Sequence, residues 1–150
     1  MQIEKPILAI DYGEKNIGLA ISDSKGIIAT PLDVLRITKR RGLDEIFDDI
    51  LIITQEYRVK TILLGKPQKF KSTYIKSIEK IDTFAKKLSQ LTNIPVIFQD
   101  ESYSTIQAQN MLLSLGQSSK STKGKIDMIS AAVFLQDFLN SKQKENEKHN

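Results

Sequence analysis

A chain of 150 residues with 40% hydrophobic content is the size of one ordinary domain and can bury a single core. It has no cysteine, which excludes disulfides and thiolate metal ligands, and its one histidine, His149, lies in a polar closing segment, which argues against catalysis by a histidine base. The formal charge of +4 favours a polyanionic partner; no apolar run approaches the roughly 20 residues that cross a bilayer, and the opening residues lack a signal-like apolar stretch, so a cytoplasmic protein is expected.

The short apolar run Pro6-Ile7-Leu8-Ala9-Ile10 predicts a strand that ends at Asp11-Tyr12-Gly13. Ile17 to Ser22 predicts a second strand, turning at Asp23-Ser24-Lys25-Gly26, and Gly26 to Thr30 a third before Pro31. Tight connections make these three an antiparallel meander. A basic stretch, Arg36, Lys39, Arg40 and Arg41, follows. From Leu43 onward, Ile46, Phe47, Ile50, Leu51 and Thr54 recur at helical spacing, with Asp44, Glu45, Asp48 and Asp49 on another face, which predicts an amphipathic helix.

Val59 to Gly65 predicts a buried strand after that helix, hence a parallel crossover. A second helix is predicted from about Thr73 to Leu91, and a fifth strand over Ile94 to Gln99, ending at Asp100-Glu101. Ser104 and Gln107 have capping-box spacing for a helix that Gly116 would end. The serine- and lysine-rich stretch from Gly116 to Gly124 predicts a loop, and a last helix starts near Ile126. The tail from Lys142 to Asn150 reads as a solvated or frayed end. The expected architecture is one α/β domain over residues 1–141, a mixed five-stranded sheet of a three-strand meander plus two parallel strands, flanked by about four helices.

Asp11 and Glu101 fall at the carboxyl ends of predicted strands, where open α/β sheets bind ligands. Asp127 shares a helical stripe with Ala131, Phe134 and Phe138, so it should face protein. Three carboxylates gathered at one point repel one another unless divalent cations hold them, and Mg²⁺ or Mn²⁺ suits such oxygen donors. Each acid also has a plainer reading, as a turn former or a helix N-terminal charge, and spacing alone leaves all three open. Lys15, Arg40, Arg41, Lys120, Lys123 and Lys125 are the candidate phosphate contacts, with solvated surface as their plainer reading. Gly13 and Gly18 read as positions of tight turn geometry or close packing.

Four stretches together carry a resemblance. The segment Asp11-Tyr12-Gly13-Glu14-Lys15-Asn16-Ile17-Gly18-Leu19-Ala20-Ile21-Ser22-Asp23 resembles the opening motif of the bacterial pre-16S rRNA nuclease family, also described as Holliday-junction-resolvase-like. Leu64-Gly65-Lys66-Pro67, Asp100-Glu101-Ser102-Tyr103-Ser104-Thr105, and Lys125-Ile126-Asp127 through Leu135-Gln136 are similar to its later motifs, in order. The resemblance implies an RNase H-like fold, Asp11, Glu101 and Asp127 as metal-holding catalytic acids, and maturation of the 5′ end of pre-16S rRNA, with the ribosomal precursor particle as a partner.

Ser102 stands where the family usually has arginine, Asn16 replaces a frequent arginine, and Lys66 replaces leucine before Pro67. These changes touch substrate grip and no proposed metal ligand. Two other functions fit the same residues: a resolvase of branched DNA, which needs a homodimer where a processing nuclease can be a monomer, and a non-catalytic RNA- or DNA-binding module. The Asp-x-Gly opening also resembles the first phosphate motif of actin-like ATPases, which need a second domain that 150 residues do not hold.

Overall fold

The computed structural model describes residues 3–66, 74–100 and 125–148. Its elements are β1 (Ile7–Tyr12), β2 (Asn16–Ser22), β3 (Ala29–Arg36), α1 (Leu43–Glu56), β4 (Thr61–Lys66), α2 (Tyr74–Thr92), β5 (Val96–Asp100) and α3 (Ile126–Lys148). The five strands form one sheet in the order β3-β2-β1-β4-β5. The β1/β2 and β2/β3 pairs are antiparallel; β4 lies parallel to both β1 and β5. Hairpins suffice for the first set, whereas α1 and α2 supply the long crossovers that parallel strands require.

Strand alternation divides the core into two layers. Leu8, Ile10, Ile17, Leu19, Ile62 and Leu64 face α1 and α2, where they meet Ile46, Phe47, Ile50, Phe84 and Leu88. Ile7, Ala9, Ala20 and Leu63 face the other way and pack against Ala131, Phe134, Leu135, Phe138 and Leu139 of α3. Apolar strands covered on both sides explain why β1 and β4 read as continuous hydrophobic runs. Gln136 also fastens α3 to the β2–β3 connection, its Oε1 accepting from the Ala29 amide at 2.9 Å and its Nε2 donating to the Ile27 carbonyl at 2.9 Å.

The structure differs from the sequence expectation in two elements. The third strand was expected to stop before Pro31, but β3 continues through it to Arg36, with a register shift opposite Leu19/Ala20. An edge strand can spare the missing N–H, and a bulge relieves the ladder at that point. The tail read as a solvated or frayed end from Lys142 is helical as far as Lys148, with Gln143 and Glu145 exposed. Its lysines and glutamates are good helix formers, and Lys142 pairs with Glu145 at 3.4 Å across one turn. Three helices are present among the described residues. The helix predicted after Ser104, its Gly116 stop and the following lysine-rich loop lie outside those residues, as do Pro67 and the segment after it.

Candidate active site at the carboxyl edge of the sheet

Asp11 is the fifth residue of β1, inside the strand rather than after it. The period-2 alternation that turns Ile7 and Ala9 toward α3 places Asp11 on the same face. Its cross-strand partner in β2 is Gly18. Above Gly18 the first turn of α3 comes so close that an added Cβ would run into the Asp127 carbonyl group and stand 2.8 Å from the Met128 amide nitrogen. The absent side chain of Gly18 is therefore the space into which the start of α3 is set. Asp127 is brought to Asp11 across that glycine.

The electrostatics agree with this placement. Asp127 is half-buried, and burial together with the Asp11 charge pushes its carboxyl above the ordinary aspartate range. A carboxylate in the first turn of a helix gains about 0.3–1 kcal/mol from the macrodipole. The net shift is upward, with desolvation as its first cause and the neighbouring acid as its second. Two crowded oxygen-donor carboxylates suit a hard divalent cation, which removes the repulsion between them. Among the described residues no group of three or more acids or histidines is close enough to hold a metal ion. The third acid expected from the sequence, Glu101, follows β5 directly in the chain and lies outside the described residues.

A basic corner occupies the same edge of the sheet. Asn16 at the start of β2 pairs with Arg36 at the end of β3, and the Ile37 amide donates to the Lys15 carbonyl at 2.8 Å. Thr38 then turns the chain tightly: its Oγ1 accepts from the Arg40 and Arg41 amides at 3.3 and 3.1 Å, and its own amide donates to the Arg41 carbonyl at 2.9 Å. Lys15, Arg36, Lys39 and Arg40 are exposed there.

Comparison with known proteins adds the lineage. A family profile described as RuvX, Holliday junction resolvase, matches residues 5–141. The chain belongs to the RuvX family. It is 37% identical over 136 residues to a protein of Geobacillus kaustophilus (strain HTA426) named "Putative pre-16S rRNA nuclease", covering 91% of this chain and 98% of the relative. A Bacillus thuringiensis (strain Al Hakam) protein of the same name is 38% identical with the same coverage. Among solved structures, Thermus thermophilus RuvC in complex with Holliday junction substrate superposes with a TM-score of 0.59 at 14% identity, over 91% of this chain and 94% of that one. At that identity the likeness speaks for the fold, which is the RNase H-like resolvase fold expected from the sequence.

Within this RuvX chain, the structure brings Asp11 and Asp127 together and sets Lys125, exposed, at the foot of α3 two residues before Asp127. Lys15, Arg40 and Arg41 share the basic corner, the Arg41 guanidinium also making an exposed ion pair with Asp49 of α1. Lys120 and Lys123 lie outside the described residues. Sequence reasoning missed the Lys80–Glu14 pair at 2.9 Å, which ties the β1–β2 connection to α2. No local signal could have revealed it, since the two residues are 66 positions apart. The Tyr12 ring lies 4.8 Å from that of Phe84 on the α2 side of the sheet.

Proposed function

We propose that this chain is a divalent-cation-dependent nuclease of the cytoplasm that hydrolyses phosphodiester bonds in structured RNA, and that its task is processing of the 5′ end of pre-16S rRNA. The observation that carries the reading is the meeting of Asp11 and Asp127 across Gly18 at the carboxyl edge of the sheet. Its support from kinship is the name shared by relatives at 37–38% identity over nearly their whole length. Asp11 and Asp127, with Glu101 as the third acid, would hold Mg²⁺ or Mn²⁺. When bound, such ions supply an activated water and charge stabilisation for the leaving oxygen. The carboxylates of this chain then position the cations. The basic corner at Lys15 and Arg40, with Lys125 and the loop lysines Lys120 and Lys123, orients the strand through its phosphates.

A second substrate is favoured by the family description and by the RuvC likeness: a four-way DNA junction cut by a homodimer. The deciding experiment sets a labelled 16S precursor fragment beside a four-way junction, with Mg²⁺, with Mn²⁺ and with chelator. Wild type is expected to cut the RNA only with metal. Asp11→Asn, Asp127→Asn and Glu101→Gln should each lose more than the roughly 10–100-fold that removal of an outer-shell partner costs. Retained cleavage in any one variant removes that residue from the site, and preferential cutting of the junction reassigns the substrate. Binding of either nucleic acid with no cleavage leaves a binding module.

A further inference from the structure

The acids use the α3 face of the sheet edge; the opposite face of the same edge carries an open groove of about 900 Å³ between β1, α1 and α2. Its floor is aromatic. Tyr12 and Phe84 lie 4.8 Å apart, and Phe47 stacks on Phe84 at 5.0 Å with an interplanar angle of 27°. Its rim carries both charges: Lys80 and Lys87 from α2, and Glu14 from the β1–β2 connection. Lys80 is held by Glu14 at 2.9 Å and Lys87 by Asp44 at 3.0 Å, all four side chains being well exposed. Exposed pairs of this kind are worth little, so a ligand can exchange them readily. Ile37 lines the groove and its amide donates to the Lys15 carbonyl, so the basic corner adjoins the groove.

We propose that this groove is a subsite for an unpaired nucleobase of the strand being cut. The base would lie against the Tyr12 edge of the aromatic floor, its polar edge read by the Glu14 carboxylate and the Lys80 ammonium, with the adjoining phosphates on Lys15 and Arg40. An apolar peptide would leave that mixed-charge rim unmatched, whereas a base carries donors and acceptors around a flat apolar face. Proximity to the acids follows from the strand itself. Asp11 and Tyr12 are consecutive in β1, about 3.8 Å apart at Cα, and their side chains leave opposite faces of the sheet. A strand that crosses the edge over the β1–β2 connection thus meets the acids on one side and the groove on the other.

The subsite rests on the nuclease reading, and its test is separable from it. The full chain is titrated in chelator, where nothing is cut, into a short single-stranded RNA carrying one 2-aminopurine, with GMP as competitor. Stacking in the groove quenches the fluorophore. Thr83→Trp, which fills the groove from an exposed rim position, should weaken binding by about tenfold with an unchanged thermal midpoint. The pair Lys80→Ala/Lys87→Ala should do the same and serves if the tryptophan variant does not fold. Displacement by GMP assigns recognition of a free nucleotide as well; binding of the strand without displacement assigns a nucleotide recognised within the chain. Absence of quenching, or wild-type affinity in a folded groove variant, overturns the subsite. Quenching without metal-dependent cleavage by wild type would instead sink the nuclease reading and leave the groove standing.

Discussion

Asp23 shows how a single side chain can set a connection. One carboxylate oxygen accepts from the Ile27 and Ile28 amides at 2.7 and 3.0 Å, while Gly26 turns the chain at φ +69°. The Ile28 amide above all, with help from Ile27, holds the Asp23 carboxyl below the ordinary range. A carboxyl depressed in the folded state contributes stability that is present above its unfolded value and lost as pH falls through its folded one. Asp23→Ala should therefore cost up to about 1 kcal/mol near neutrality, at the low end of hydrogen-bond energies because the group is exposed, and the difference should close on acidification. Chemical denaturation of both proteins across the acid range checks it, and a gap that persists below the folded value would contradict the assignment. The turn at Asp23-Ser24-Lys25-Gly26 was legible from residue types alone. The meeting of Asp127 with Asp11, 116 positions away in the chain, was implied by the family resemblance but not by residue types or spacing.

At the scale of elements, α3 is placed by a stripe and a gap. Ala131, Phe134, Leu135 and Phe138 press on Ile7, Ala9, Ala20 and Leu63, and Gly18 removes the one Cβ that would hold the first turn off the sheet. Gly18→Ala should cost about 1–3 kcal/mol, the range for forcing extra volume into a packed interface. It should also depress cleavage beyond what the reduced stability explains, since the atoms displaced are the backbone of Asp127 itself. Denaturant midpoints and single-turnover cleavage test the two effects; wild-type values for both would mean that α3 yields freely. The helical periods of α1 and α2 and the apolar runs of β1 and β4 were readable in the sequence because each element is covered on a face whose spacing repeats. The passage of β3 through Pro31 was not, because propensity treats a proline as a stop and only an edge position tolerates it.

For the whole molecule, charge is distributed so that cations and acids share one edge of the sheet. If Lys15 and Arg40 bind phosphates, replacing either with alanine should lower the salt dependence of RNA binding by about 0.7–0.9 for each phosphate no longer neutralised. Arg41→Ala should lower the slope likewise, because its pair with Asp49 is exposed and can exchange for a phosphate. Wild-type slopes for all three variants would make the corner ordinary surface. Residue types and their spacing were enough to establish the class of fold, the succession of strands along the chain and the chemistry on offer: without cysteine, and with its one histidine, His149, in a polar segment, the chain draws acid/base work from carboxylates, lysines, tyrosines or water. Periodicity and composition are local properties, and a single chain displays them fully. How Asp127 is set beside Asp11 across the gap at Gly18, which arginine is already paired, and that an aromatic groove lies behind the acids on the other side of β1 came from the folded molecule alone. Those facts depend on sheet register and helix docking, which bring distant residues together through interactions that no stretch of sequence contains.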